Sequence, residues 1–99
     1  MEKREGKRQF AALRAAVSQA LRKADPIGLI QGGAPPDEYD PEVGTILPRL
    51  GTARSSEDVR AIVHEEFVRW FGAEIAGDIE DYQTAAEKIW ATLSTEKAV

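Results

Sequence analysis

Residues 55–72 read S-S-E-D-V-R-A-I-V-H-E-E-F-V-R-W-F-G, and this stretch decides the fold class. Its apolar residues recur every three or four positions, which is the spacing of one face of an α-helix. They are Val59, Ile62, Val63, Phe67, Trp70 and Phe71. Ser55 and Asp58 have the spacing of a capping box, although Ser56 is equally suited to be the N-cap. Gly72 is typical of a residue after a helix end, so we predict a helix over about residues 56–71.

A second amphipathic helix is predicted upstream, over roughly residues 4–24. Its apolar face carries Phe10, Leu13, Val17 and Leu21 among several alanines. The helix should end at Asp25-Pro26, because a residue before proline is disfavoured in the α region. Residues 25–40 then hold three glycines and three prolines, a density that predicts a long ordered loop rather than a regular element.

The sequence Asp40-Pro41-Glu42 is typical of a helix start, with Asp40 as N-cap and proline as the first helical residue. Pro48 lies inside the apolar pattern that follows, so this helix should be kinked or stop near Leu47. A last helix is predicted over about residues 79–94. Its core face would carry Ile79, Tyr82, Ala86, Ile89, Trp90 and Leu93.

No segment alternates polar and apolar residues as a strand does. We therefore predict an all-α fold, a single compact bundle of about four helices that forms one domain over residues 1–99. Residues 1–8 should fray, because bases at a helix N-terminus oppose the macrodipole.

Charge is unevenly distributed along the 99 residues. Residues 1–23 hold seven bases and two acids, a net +5, whereas residues 24–99 hold six bases and fifteen acids, a net −9. The chain has no cysteine and one histidine, which excludes disulfides, thiolate metal sites and a cysteine nucleophile. No apolar run approaches the length of a membrane span, no secretory leader is evident, and we expect a cytoplasmic protein.

The densest polar feature is an acidic box at residues 37–42. Asp37, Glu38, Asp40 and Glu42 surround Tyr39. These carboxylates are interpreted in three ways: as helix capping and loop structure, as a surface for a partner, or as oxygen ligands for calcium or magnesium. The EF-hand spacing is missing, so we predict no metal and no cofactor.

His64-Glu65-Glu66 invites comparison with the zincin motif H-E-x-x-H, but Val68 stands where the second histidine is required. We expect His64 to be packed or solvated at a helix edge. The two glutamates should form an exposed face, with Glu65 paired to Arg69. No catalytic residue is predicted.

Two boxes, D-P-I-G at residues 25–28 and D-E-Y-D-P-E at residues 37–42, resemble those of a family of small bacterial domains of unknown function. The similarity covers roughly residues 10–93. It implies an all-helical fold without established catalytic activity, and it makes Asp25, Pro26 and Gly28 structural residues of the loop. If the second box is a signature, Tyr39 would pack under the loop with its hydroxyl bonded.

The leading functional hypothesis is a non-enzymatic protein-interaction module, such as an immunity, antitoxin-like or accessory protein. Its acidic surface would be the box Asp37, Glu38, Tyr39, Asp40 and Glu42, and Trp70 or Trp90 is a further candidate anchor for the partner. The alternative is a nucleic-acid accessory protein that uses residues 3–23. A metal-dependent enzyme built on the acidic box is the third hypothesis, and a homodimer is open as well.

Overall fold

The computed structural model describes residues 2–28, 32–33 and 39–98, with the backbone alone for residues 2–10, 40 and 96–98. Throughout these residues the regular structure is helical, which confirms the all-α class. The α-helices are α1 (Glu2–Ala24), α2 (Asp40–Ile46), α3 (Ser56–Phe71), α4 (Ala73–Ala76) and α5 (Gln83–Ala98). A first 3₁₀ helix spans Leu47–Thr52 and a second spans Ile79–Tyr82. No described helix has the length and apolar character needed to cross a bilayer.

Helix α3 has the predicted bounds, and its start is fixed by side-chain capping. The Ser55 Oγ accepts a hydrogen bond from the Asp58 N–H at 3.1 Å, which identifies Ser55 rather than Ser56 as the N-cap. In turn, Asp58 Oδ2 accepts from the Arg54 N–H at 2.9 Å. At the other end Gly72 has φ +87°, a conformation in which a side chain would be strained.

Replacing Ser55 with alanine should destabilise the protein by about 1 kcal/mol, because the Asp58 N–H loses its acceptor. Urea denaturation followed by circular dichroism measures this change. Ser56→Ala is the matched control, since the Ser56 hydroxyl contacts only the neighbouring Glu57 carboxylate. An equal loss in both variants would contradict the assignment of Ser55 as the cap.

Helix α1 ends where the sequence predicts, and Asp25 closes it in the left-handed region at φ +44°. The Asp25 N–H donates to the Leu21 carbonyl at 2.7 Å, and the Gly28 N–H donates to the Asp25 carbonyl at 2.9 Å. Ile27 is half-buried against the core. Leu29 and Ile30, the other apolar residues of this loop, lie outside the described residues.

Helix α2 begins one residue earlier than predicted. The Val43 N–H donates to the Tyr39 carbonyl at 3.0 Å, so Tyr39 is the N-cap residue and Asp40 is already helical. Tyr39 makes no side-chain capping bond, and the prediction of Asp40 as N-cap is wrong by one position. The helix stops at Ile46, and Pro48 lies at the start of the first 3₁₀ helix.

The core lies where α1 and α3 pack against α5, with α2 against α3. Phe67 lies in an aromatic cluster within it. Its ring centroid is 5.2 Å from that of Tyr82 and 5.7 Å from those of Tyr39 and Phe71. The aliphatic residues predicted for α3, Val59, Ile62 and Val63, are buried as expected.

Candidate interaction surface around Trp70

Trp70 is the largest exposed apolar side chain in the part of the chain that the structure describes. It is 46% exposed, although it lies on the predicted apolar face of α3. Its indole Nε1 donates to the Thr45 hydroxyl of α2 at 3.0 Å. Together with Thr45, Glu66 and Arg69 it lines a shallow depression of about 200 Å³. We call these four residues the Trp70 surface.

The position of Trp70 near the end of α3 explains its exposure. Glu66 and Phe67 lie one turn earlier and are buried, so the helical spacing points Trp70 to the same side. Helix α3 ends at Phe71, however, and the chain turns away at Gly72. A tryptophan is seldom fully buried, and its N–H seeks a polar partner, which Thr45 supplies here.

A charged network beside the Trp70 surface joins the first 3₁₀ helix to α3. The Arg49 guanidinium donates to Glu66 Oε2 at 2.8 Å and to Glu65 Oε1 at 2.7 Å. The hydrogen bonds to Glu65 and then Glu66 raise the pKa of Arg49 above its ordinary value. Arg69 lies 3.6 Å from Glu66 Oε2 at the i,i+3 spacing. The network holds Arg49 in one place, since a guanidinium that bridges two carboxylates has little freedom.

Two predictions about the glutamates are wrong. Glu66 is 3% exposed rather than part of an exposed face, and Glu65 pairs with Arg49 rather than with Arg69. The cause is the approach of the first 3₁₀ helix, which brings Arg49 next to α3. No local pattern indicates this contact, because Arg49 and Glu66 are 17 residues apart in the chain.

His64 is packed rather than free, on the side of α3 that faces α4 and the second 3₁₀ helix. Its Nε2 lies 2.9 Å from the Gly77 carbonyl oxygen, and its ring meets the Tyr82 ring edge to face at 5.3 Å. The Tyr82 hydroxyl donates to the Ala76 carbonyl at 2.6 Å. His64 and Tyr82 therefore connect α4 and the turn after it to α3 and to the second 3₁₀ helix.

Burial, with a smaller contribution from the charge of Asp81, raises the pKa of Tyr82 from 10.0 to about 12. The folded protein thus holds the Tyr82 proton at pH values where the unfolded chain releases it, so this contribution to stability is complete below pH 10 and declines above it. At about pH 11 we expect a loss of about 1.4 kcal/mol from Tyr82. Urea denaturation of the wild type and of Tyr82→Phe, each at about pH 9 and pH 11, gives the free energy of unfolding that each protein loses between the two pH values. The wild type should lose more than the variant, and the difference is the contribution of Tyr82. Parallel losses in both proteins would contradict the prediction.

Two residues of the acidic box, Tyr39 and Glu42, lie in the core rather than on a surface open to a partner. Tyr39 is 1% exposed and Glu42 is 4% exposed, so neither is presented to a partner, which corrects both predictions. They share the face of α2 that carries Val43 and packs against the core. Asp37 and Glu38 lie outside the described residues, and the side chain of Asp40 is likewise not described.

Tyr39 instead connects the two ends of the loop over residues 25–40. Its hydroxyl donates to Asp25 Oδ1 at 2.6 Å, and its ring packs on Phe67. Pro26 and Gly28 lie in the turn that follows α1, where Gly28 has φ +75°. The bond from Tyr39 to Asp25 thus connects the start of α2 to the end of α1.

The residues from 74 to 87 form an acidic stretch with no base among them. Its carboxylates are all exposed: Glu74, Asp78, Glu80, Asp81 and Glu87. Ile75 lies inside this stretch and is 60% exposed. The negative charge of this surface is complementary to that of a basic protein surface, and the exposed Ile75 adds an apolar contact.

Among the described residues no group of three or more histidine, aspartate or glutamate side chains is placed to hold a metal ion. Comparison with protein-family models, with curated proteins and with solved structures gives no match. The resemblance of the D-P-I-G and D-E-Y-D-P-E boxes to a family of small bacterial domains therefore stays a prediction.

Proposed function

We propose that this chain is a non-enzymatic protein-interaction module that binds a basic partner protein through an acidic surface, with Trp70 as the anchor. An immunity, antitoxin-like or accessory protein of the cytoplasm would have this role. The observation that carries the proposal is the half-exposed indole of Trp70, held in place by Thr45. Tryptophan is among the residues that most often contribute strongly to binding at protein interfaces.

Preorganisation supports Trp70 as an anchor. The hydrogen bond to Thr45 and the neighbouring Arg49–Glu66 pair fix the surroundings before a partner arrives. Fixing a side chain in advance lowers the conformational entropy lost on binding. The exposed charges at the edge, such as Glu65, would contribute more to specificity than to affinity.

The acidic stretch from Glu74 to Glu87 would supply the attraction to a basic partner. Glu74 follows Trp70 by four residues, and a chain of four residues spans at most about 14 Å. Both therefore fit within one interface of ordinary size, which buries about 800 Å² on each partner. Clustered negative charge accelerates association with a basic surface and does so less as salt is added.

We also propose that the helices form one bundle and that residues 25–40 form an ordered loop. The packing of α1 and α3 on α5 supports the bundle. The bond between Tyr39 and Asp25 supports the loop, because it connects residues at its two ends.

Affinity capture from cells that express the chain tests the function, with three baits compared by quantitative mass spectrometry. We expect one basic protein to be retained by the wild type and lost with Trp70→Ala. The control is Thr95→Ala, an exposed residue of α5 outside the acidic stretch, which should retain that protein. Loss of the protein at raised salt would support the electrostatic part of the proposal. Identical sets of proteins on all three baits would overturn it.

Self-association is tested separately, because α1 is rich in alanine and such helices commonly pack together. Size-exclusion chromatography with light scattering gives the mass of the particle directly. A mass of twice 10.9 kDa would show a homodimer.

A further inference from the structure

A groove between α1 and α5 lies apart from the Trp70 surface and has a different chemistry. Its volume is about 210 Å³, smaller than the pockets of about 300–1,000 Å³ that enclose drug-sized ligands. It is lined by Ala16, Gln19, Ala20 and Lys23 of α1 and by Lys88 and Thr92 of α5. Both lysines are exposed, so two basic side chains line one groove, and the lining residues that the structure describes include no carboxylate.

The acids nearest to these lysines in the chain are engaged elsewhere. Asp25 accepts the hydrogen bond from Tyr39. Glu87 accepts from the Gln83 side-chain amide, one turn earlier on α5, at 3.0 Å. The ion pairs recorded for the described residues involve Arg49 and Arg69, and neither groove lysine belongs to one.

The electrostatics of its own helix explain the position of Lys23 but not that of Lys88. Lys23 lies in the last turn of α1, where a base offsets the negative end of the helix dipole. Lys88 is the sixth residue of α5, far from that helix's C-terminus. The positions three and four residues to either side of Lys88 are alanine or threonine, so no acid has the spacing that pairs with it along the helix.

We propose that this groove binds a phosphate group. Lys23 and Lys88 would neutralise the charge of the oxyanion, while the Gln19 amide and the Thr92 hydroxyl donate hydrogen bonds to its oxygens. Ala16 and Ala20 leave room for the carbon atoms that carry the phosphate. The phosphate belongs either to a small phosphorylated molecule or to a nucleic-acid backbone, for which exposed Arg22 of α1 provides further positive charge.

Binding is tested by titrating orthophosphate into the ¹⁵N-labelled protein at constant ionic strength. Because the groove is open and its charges are solvated, we expect a Kd of about 1–10 mM. The amide signals of residues 19–23 and 88–92 should shift and saturate. Lys23→Gln and Lys88→Gln should each raise the Kd by about two- to fivefold. Arg14→Gln removes the same charge from α1 outside the groove and should leave the Kd unchanged.

A second titration distinguishes the two sources of phosphate, using an oligonucleotide of about ten nucleotides. If it binds more tightly than orthophosphate, and both lysine variants weaken it, the source is a nucleic-acid backbone. If it does not shift these amides while orthophosphate does, the source is a small molecule. The proposal is overturned if orthophosphate gives no saturable shift in the wild type, or if its Kd is the same in both lysine variants.

Discussion

Phe67→Ala should lower the free energy of unfolding by about 4 kcal/mol, the cost of removing a fully buried phenyl ring from a packed core. Phe67 is completely buried and lies within 6 Å, centroid to centroid, of the rings of Tyr39, Phe71 and Tyr82. The truncation removes all three aromatic contacts and leaves a cavity, because a close-packed interior relaxes only in part. Domains of this size have a free energy of unfolding of about 5–15 kcal/mol, so this single change removes a large part of it.

Urea denaturation followed by circular dichroism at 222 nm measures the effect. Phe71→Ala is the matched control, since it removes the same ring one turn later in α3 from a half-buried position. We expect the control to lose about half as much stability. Equal losses in the two variants would show that the aromatic cluster is not centred on Phe67.

Arg49→Met should cost about 3 kcal/mol, because it leaves the Glu66 carboxylate buried without its main cation. Methionine retains the apolar volume of the arginine stem, so the change removes chiefly the charge and its hydrogen bonds. Arg69 lies 3.6 Å from the same carboxylate, but its side chain is 77% exposed and the pair is correspondingly weak.

Comparing Arg49→Met with a substitution at Glu65 separates the contribution of the buried Arg49–Glu66 pair to stability from that of the exposed Arg49–Glu65 pair. Glu65→Gln removes the charge from the exposed bond to Arg49 and should cost less than about 1 kcal/mol. Adding Glu66→Gln to the Arg49→Met variant should restore part of the stability, because a neutral amide is less costly to bury than an unpaired carboxylate. If the double variant is no more stable than Arg49→Met, the buried charge is not the cause of the loss.

The sequence predicts helices well where their limits depend on neighbouring residues. Ser55, Pro48 and Gly72 act on the backbone within a few positions of themselves, and the helices begin or end beside them. The start of α2 is one residue off, because both Tyr39 and Asp40 suit the turn before Pro41. The last predicted helix is divided into the second 3₁₀ helix and α5, a change in hydrogen bonding that apolar spacing does not reveal.

The candidate site is harder to predict, since side-chain exposure depends on which elements meet. Trp70 has the helical spacing of a core residue, yet it lies in the last turn of α3 and is half-exposed. Glu66 is of a charged residue type that is usually exposed, yet it is buried where it pairs with Arg49. Tyr39 and Glu42 of the acidic box are buried for the same reason, because both face the core from the start of α2.

The sequence by itself determined the all-α class, the limits of α3 and the asymmetry of charge, because helix periodicity, capping and net charge are properties of neighbouring residues. Only the tertiary structure decided which polar residues are buried, which tryptophan is exposed, and that Tyr39 reaches Asp25 across 14 positions. Those outcomes depend on contacts between segments far apart in the chain. Burial of a side chain is a property of the packed elements together, whereas the start of a helix is a property of a few consecutive residues.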